Sequence, residues 1–362
     1  MTVPVIVGTG LVALDVVIRG KGSKPVRWSV GGTCGNVLTI LRYLGWAAMP
    51  VARLANDRAR AIIDADLTRW RVDTRYLGIA PVAPTPVVVE RLLRDDHGSP
   101  IHRFSWTCPC CGAWLPRYTP VGARAVTSVA EEVPTPAVFF FDRPSRGAIA
   151  LATAYSKRGV LIVFEPSASG EPELFETALE LADVIKYSDE RFATLPPHKP
   201  QTRRRLEVQT LGVDGLRYRL VSGRRSGAWR KLPSIRTGGV VDTAGAGDWC
   251  TAGMLTHLGR AGREGLNVVK NEELDAALRY GQALAAWNCR FEGARGGMYE
   301  RSWEQFERDV EALVAGDQGA LPSLLEDSAG ESLGEICPAC PGPSKAETKG
   351  TVRSPQPGAR SS

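Results

Sequence analysis

Between residues 137 and 211 the chain alternates short β-branched or aromatic runs ("AVFFF", "VLIVF", "DVIKY", "LEVQT") with stretches of helical character, "RGAIALATAYSKRG" and "EPELFETALELA". Parallel strands cannot be joined by a tight turn, so each return has to cross over, usually through a helix, and the helices cover the sheet. The alternation therefore predicts an α/β fold, a central mostly parallel sheet flanked by helices. With 362 residues, 43% hydrophobic and 23% charged, the chain can bury such a core.

Helices are also predicted outside this stretch. Val37, Ile40, Leu41 and Leu44 recur at i, i+3, i+4 and i+7 and Gly45 follows, so a helix ends there. A second starts at Asp57 and runs through Ile63 and Leu67 to Trp70. Residues 84–120 read as a hairpin turning at "DDHGSP" and leading into a cysteine-rich loop, an appendage to the sheet. The body is expected to span residues 1–314, with a small β lid drawn from about 16–30 and 84–120. From 315 to 362 the sequence is rich in Gly, Pro, Ser and Glu and is expected to be disordered except around "CPAC".

The 45 basic and 39 acidic residues give a net charge of +6, compatible with anionic ligands but short of the clustering of a dedicated nucleic-acid binder. The start "MTVPVIVGTG" lacks the basic and long apolar regions of a signal peptide, and no apolar run is long enough to span a bilayer. A cytoplasmic protein with no membrane partner is expected.

In "VVDTAGAGDWCTAGML", Val240 and Val241 read as the end of a strand, while Trp249, Ala252, Leu255 and Leu258 keep helical spacing up to Gly259. The "TAGAG" turn would then open a helix, where unpaired N–H groups and the positive end of the dipole attract an anion and small residues let a phosphate approach. Asp248, one residue beyond, could take the proton of an attacking hydroxyl while those groups hold the transferred phosphoryl. The plainer alternative is a glycine turn capped by Asp248.

The loop resembles the C-terminal signature of the ribokinase-like (PfkB) carbohydrate kinases, D-T-x-G-A-G-D, complete here from Asp242 to Asp248. "GGTCGNVLTILRYLGW" is similar to the family's N-terminal signature, and "ANDRARAIIDADLTRWRVDT" to the segment after it. "VQTLGVDGLRYRL" resembles the strand and turn that approach the nucleotide, and "ALRYGQALAAWNCRFEGARGG" the closing helix. The matches keep the family's order across most of residues 3–300. The resemblance implies a ribokinase-like fold and a kinase that uses ATP and Mg²⁺ to phosphorylate a hydroxymethyl group of a sugar, polyol or nucleoside. It implies Asp248 as base, Gly245, Ala246 and Gly247 as anion hole, and Asp15, Gly32 and Asn36 as holders of substrate hydroxyls. Thr210, Gly212, Gly215 and Thr243 would lie near ATP, and a homodimer would pair through the lid.

The sequence departs from the family in three places, the first being the absence of the usual second glycine after the Asp of "ANDRARAIIDADLTRWRVDT". Ser188 and Arg191 stand where an N-x-x-E pattern usually helps organise Mg²⁺, with Glu190 one residue away as a substitute, and Glu165 and Ser167 stand where D-x-N-x-R is common. Structural alternatives stay beside the family roles: Asn36 as a helix N-cap, Asp15 as a strand-end charge, Gly212 and Gly215 as turn residues. "VIVGTGLVALD" carries G-x-G-x-x-A after a strand, but "LVALDVVI" continues as a strand instead of a helix, so a dinucleotide fold is rejected.

Cys108 and Cys111, and again Cys337 and Cys340, have C-x₂-C spacing in proline- or glycine-containing turns. The two pairs could share one structural Zn²⁺, serve separate or intermolecular sites, or be incidental thiols. Cys110 is a spare, and Cys34, Cys250 and Cys289 read as small core residues. His102 is an alternative ligand or a surface residue. A rival to the kinase reading is a non-catalytic protein of the same fold that binds a protein or nucleic acid through the zinc element and the basic stretches "TRRRL" and "SGRRSGAWRK", arginines that otherwise read as solvated surface.

Overall fold

A computed structural model describes residues 2–79, 82–98, 100–196, 203–223, 225–316 and 336–340. The chain opens with β1 (Val5–Thr9), extends a hairpin of β2 (Ala13–Arg19) and β3 (Pro25–Gly31), and returns through α1 (Thr33–Tyr43) to β4 (Ala47–Val51) and α2 (Arg58–Arg69). A second hairpin, β5 (Val87–Arg94) and β6 (Pro100–Ser105), is followed by α3 (Thr127–Glu132). Strand and helix then alternate as predicted: β7 (Val138–Phe141), α4 (Arg146–Lys157), β8 (Leu161–Phe164), α5 (Pro172–Leu181), β9 (Val184–Ser188) and β10 (Arg204–Thr210). After β11 (Leu216–Ser222), β12 (Arg225–Ser226) and β13 (Arg230–Leu232) come α6 (Ala246–Leu258), α7 (Gly262–Val268), α8 (Asn271–Asn288), α9 (Gly296–Glu300) and α10 (Trp303–Val314).

The large sheet has the order β12-β11-β10-β9-β8-β7-β1-β4, with β13 also on β11. Every pairing from β10 to β4 is parallel, and β11 to β13 are antiparallel. Thr9 pairs with Phe141, Phe141 with Phe164, and Ser188 with Thr210, so the carboxyl ends of these strands form one edge. Sequence order reverses at β1, which lies between β7 and β4. In open α/β sheets, ligands bind at the carboxyl-end edge where the order reverses.

The two-residue period of the strands sorts their side chains between two apolar layers. Val138 and Phe140 of β7 join the layer that contains α1, α6, α8 and α10, whereas Phe139 and Phe141 join the layer of α3, α4 and α5. The second sheet, β3-β2-β5-β6, buries Leu14, Val16, Val87 and Val89 in the first of these layers. It stands where the small β lid is expected, and its β5–β6 turn is closed by Gly98 N–H to Asp95 O at 2.9 Å.

Local sequence explains the helix ends. Asp57 caps α2 by accepting from Arg60 N–H, and Trp70 closes the helix, the limits that periodicity predicts. Helix α6 lies against α8 through Gly253 and Gly281; a Cβ on Gly281 would come within 2.5 Å of the Cys250 carbonyl oxygen. At the base of α6, Trp249 is wholly buried, meets the Trp287 ring edge-on at 5.2 Å and donates to Ala294 O.

Two expectations need correction. Val240 and Val241 are not in a strand: β13 ends at Leu232, and the chain reaches α6 through irregular backbone pinned by Val241 N–H to Cys289 O at 2.8 Å. Nor are the arginines of "TRRRL" solvated surface. Arg205 is buried and donates to Leu179 and Ala182 carbonyls, Arg203 to Leu181 O, and Arg204 to Asn267 and Val269 carbonyls. They satisfy orphan carbonyls at the ends of α5 and α7. In "SGRRSGAWRK", Trp229 lies under Arg217 and Arg219 and Arg230 pairs with Asp275. Cys34, Cys250 and Cys289 are buried as expected. Apart from 336–340, the tail expected to be disordered lies outside the described residues beyond 316. Among the described residues, no helix is long and apolar enough to cross a membrane.

Because the α6–α8 contact is backbone against backbone, Gly281→Val must push α6 away. Overpacking of this kind costs about 1–3 kcal/mol, so urea unfolding of the variant should show a lower midpoint; an unchanged midpoint would mean that α6 is not held by this contact.

Candidate active site

The glycine turn is fixed by the segment that follows α8. Gly245 sits at the N-cap of α6 with φ 72°, and a Cβ there would come within 2.3 Å of Ala294 O, so both the backbone conformation and the space require glycine. Asp242 accepts from Ala244 N–H at 2.9 Å and Gly293 N–H at 2.8 Å. Buried Asn288 donates to Gly293 and Ala294 carbonyls and accepts from Gly297 N–H. No side chain caps α6; the Ala246 N–H turns back to Thr243 O at 3.2 Å.

Asp248 is the third residue of α6 rather than its cap, so the plainer capping alternative does not hold. Its carboxylate is buried and accepts from Asn36 Nδ2 at 2.8 Å. Burial and then the charge of Glu165 push its pKa up to about 8, against the Asn36 hydrogen bond and the charges of Lys186 and Arg191. Asn36 lies inside α1, where Gly32 (φ 74°) holds the N-cap, so Asn36 is not a cap either. The Asn36 carbonyl oxygen accepts from Arg295 Nε at 3.1 Å, which turns its amide nitrogen toward Asp248. Arg295 is itself buried on Asp66 at 2.8 Å, and Asp66 also accepts from Tyr299 Oη and Val30 N–H.

Asp15 is the third residue of β2, buried, and not a strand-end charge. Burial raises its pKa to about 7, partly offset by Arg295 and by a hydrogen bond from Gly32 N–H. Asp15, Gly32, Asn36 and Asp248 thus belong to one buried polar group centred on Arg295.

Two members of this group go unnoticed in the sequence. Lys186 in β9 is buried, donates to Glu165 Oε1 at 2.7 Å and to Gly247 O at 3.1 Å, and so places a cation beside the glycine turn. Burial opposes its charge, yet the carboxylates of Glu165 and Asp248 help keep its pKa above the ordinary lysine range. The signal was a lone lysine inside the apolar run "DVIKY". Arg295, in "EGARGG", had no comparable signal.

Glu165 uses its second oxygen to accept from Thr251 Oγ1 at 2.5 Å, and Ser167 bonds Arg143 and the Asp142 carbonyl. Ser188 ends β9, Glu190 is exposed, and the charge of Arg191 acts on Asp248. Among the described residues, the side-chain groups able to surround a cation are the four cysteines and Glu90–His102–Asp242; neither contains Asp248 or Glu165. Lys186 supplies a buried positive charge beside the turn.

Thr210 ends β10 in register with Ser188, and Gly212 (φ 54°) and Gly215 (φ 94°) shape the turn into β11. This turn borders an open cleft of about 410 Å³ lined by Val213, Asp214, Lys231, Pro233, Ser234 and Arg236, which does not reach Asp248. Thr243 contacts His102 Nδ1 at 3.2 Å, and His102 lies 3.4 Å from Asp242. His102 therefore bridges β6 to the glycine turn and is neither a lone surface residue nor a member of the cysteine group. Cys108, Cys111, Cys337 and Cys340 come together, while Cys110 stays exposed outside the group.

Residues 142–301 match the pfkB family carbohydrate kinase model. The chain is similar in structure to an uncharacterized sugar kinase from Pyrococcus horikoshii (20% identity, TM-score 0.62, covering 86% of this chain and 99% of that one), which has also been solved with ATP. It is similar to aminoimidazole riboside kinase from Salmonella enterica, complexed with aminoimidazole riboside and an ATP analog (18%, 0.58, 84% and 99%). It is also similar to a nucleoside kinase from Burkholderia thailandensis in complex with inosine (16%, 0.58, 85% and 97%). No curated protein matches the chain. Residues 142–301 thus match the PfkB family carbohydrate kinase domain, and the chain has the ribokinase-like fold of these solved sugar and nucleoside kinases.

Removing one member of a buried ion pair strands the other and costs about 3–5 kcal/mol, whereas replacing both with apolar groups can be neutral. Lys186→Met should therefore unfold at markedly lower urea concentration, and Lys186→Met/Glu165→Leu should recover much of the loss. A double variant as unstable as the single one would show that the pair is not the source of the stability.

Proposed function

We propose that this protein is an ATP-dependent kinase that transfers the γ-phosphoryl group to a hydroxyl of a small sugar, polyol or nucleoside. The observation that carries the reading is Asp248: a buried carboxylate, oriented by Asn36, in the first turn of an uncapped helix with Lys186 beside the same turn. In this reading the acceptor hydroxyl hydrogen-bonds to Asp248, which takes its proton as the oxygen attacks phosphorus. The turn formed by Gly245, Ala246 and Gly247 receives the phosphoryl oxygens, and Lys186 adds a cation where charge develops. Asp15 and Asn36 hold other acceptor hydroxyls, with Gly32 giving the chain room to bring them together. The four-stranded sheet acts as a lid on the acceptor side, coupled to the turn through His102, Thr243 and Asp242.

ATP would lie along the Thr210–Gly215 turn, with Thr243 at the phosphate end. The neighbours solved with ATP or its analog support that choice of donor. Mg²⁺ would arrive on the nucleotide, neutralising its phosphates.

The test is ADP release by the purified protein from ATP and Mg²⁺ across a panel of sugars, polyols and nucleosides. At least one acceptor should stimulate release, and Asp248→Asn should lower turnover on the order of a hundredfold or more while ATP still binds. Near-normal turnover in that variant would remove Asp248 from the chemistry.

A pH profile follows from the environment of Asp248. Its pKa in the free protein lies near 8, and only the carboxylate can accept a proton, so the active form appears as pH rises through that value. kcat/KM should fall about tenfold per pH unit well below 8 and level off above it. A profile flat from pH 6 to 9 would contradict this assignment.

A further inference from the structure

We infer that Cys108, Cys111, Cys337 and Cys340 bind one Zn²⁺ within a single chain, and that the ion staples residues 336–340 onto the loop that follows β6. The Sγ atoms of Cys108 and Cys340 are 3.7 Å apart, and those of Cys111 and Cys337 are 3.6 Å apart. All four sulfurs lie within 4.8 Å of one another. Zn–S bonds of about 2.3 Å at tetrahedral angles give sulfur–sulfur edges of about 3.8 Å. A disulfide requires about 2.05 Å. The observed separations are therefore those of ligands around a common ion, and both crossed contacts join one pair to the other.

Each pair also has the backbone of a metal knuckle. Gly112 N–H closes on Cys108 O at 2.9 Å, and Cys340 N–H closes on Cys337 O at 3.1 Å. The first knuckle turns through Gly112 (φ 74°) and is closed by Cys108 N–H to Ala113 O and by the Thr107–Trp114 bridge. An all-sulfur tetrahedral set favours zinc or iron, and four protein ligands leave no open position, which marks a structural site.

The staple has a mechanical consequence. Ile336 and Cys337 are buried in the same apolar layer as Cys108 and Leu115. At the two ends of the stapled loop, Trp106 and Tyr118 pack on Leu11, Ala13 and Val88. Leu11 N–H is held by Asp142 at 2.9 Å, and Ala13 lies two residues before Asp15. The zinc thus braces the flank of the acceptor pocket while the Thr210–Gly215 turn lies on other strands. This second consequence rests on the kinase reading; the metal site does not.

Elemental analysis of the purified full chain should find about one zinc per chain and little iron, and the Cys337→Ser/Cys340→Ser variant should lose it. Exchange of wild-type zinc for Co²⁺ should give the visible bands and thiolate charge-transfer absorption of a tetrahedral all-sulfur site, a readout independent of activity and of whether the variant folds. Full zinc retention in the variant would overturn the shared site, as would stoichiometric iron or a wild-type protein that takes up neither zinc nor Co²⁺. With an active acceptor in hand, zinc loss should raise its KM severalfold and leave ATP affinity within about twofold. Equal damage to both would overturn the bracing role alone.

Discussion

A carboxylate kept out of water at the start of α6 is the constraint around which this molecule is arranged. Asp248 and Glu165 are both buried and repel each other. Burying two such groups is tolerable only if fixed partners stand close by. Lys186 pairs with Glu165, and the Asn36 amide, aimed by Arg295, serves Asp248. These partners come from β9, α1 and the loop after α8, so the sheet, the first helix and the C-terminal helices must all meet at one point. The glycines at 245, 253 and 281 let backbone approach backbone closely enough for that to happen.

The four-stranded sheet joins this centre through polar contacts rather than by extending the large sheet. His102 reaches Asp242 and Thr243, and Glu90, fully buried in β5, lies in the same cluster. Burial and the neighbouring carboxylates of Asp242 and Asp15 raise the Glu90 pKa well above the usual range. That shift favours the neutral acid, the form that avoids repulsion from Asp242.

Much of the framework was legible in the sequence because it depends on local physics. Periodicity located β7 to β10 and the helices between them, and Asp57 marked the start of α2 by a capping preference that needs no tertiary context. The Asp242–Asp248 motif identified the turn because glycine is required there by conformation and by the approach of Ala294. What escaped depends on contacts between distant segments. Val240 and Val241 have strand-like composition, but the backbone N–H groups of Val241 and Asp242 bond Cys289 O instead of a neighbouring strand. The arginines at 203–205 look like a basic surface, yet helix-end carbonyls from elsewhere in the chain absorb them. Arg295 became recognisable only once Asn36 and Asp66, far away in sequence, were seen on either side of it. The cysteine spacing indicated two knuckles, but only the fold shows that they meet.

The central claim is that the group centred on Asp248 moves a phosphoryl group between molecules rather than merely holding an anion. Phosphorus-31 NMR of the protein incubated with ATP, Mg²⁺ and a pool of sugars, polyols and nucleosides tests it most directly. The account predicts a new phosphomonoester resonance that grows in step with ADP. ATP that stays intact across the pool, or ADP accompanied only by inorganic phosphate, would contradict it.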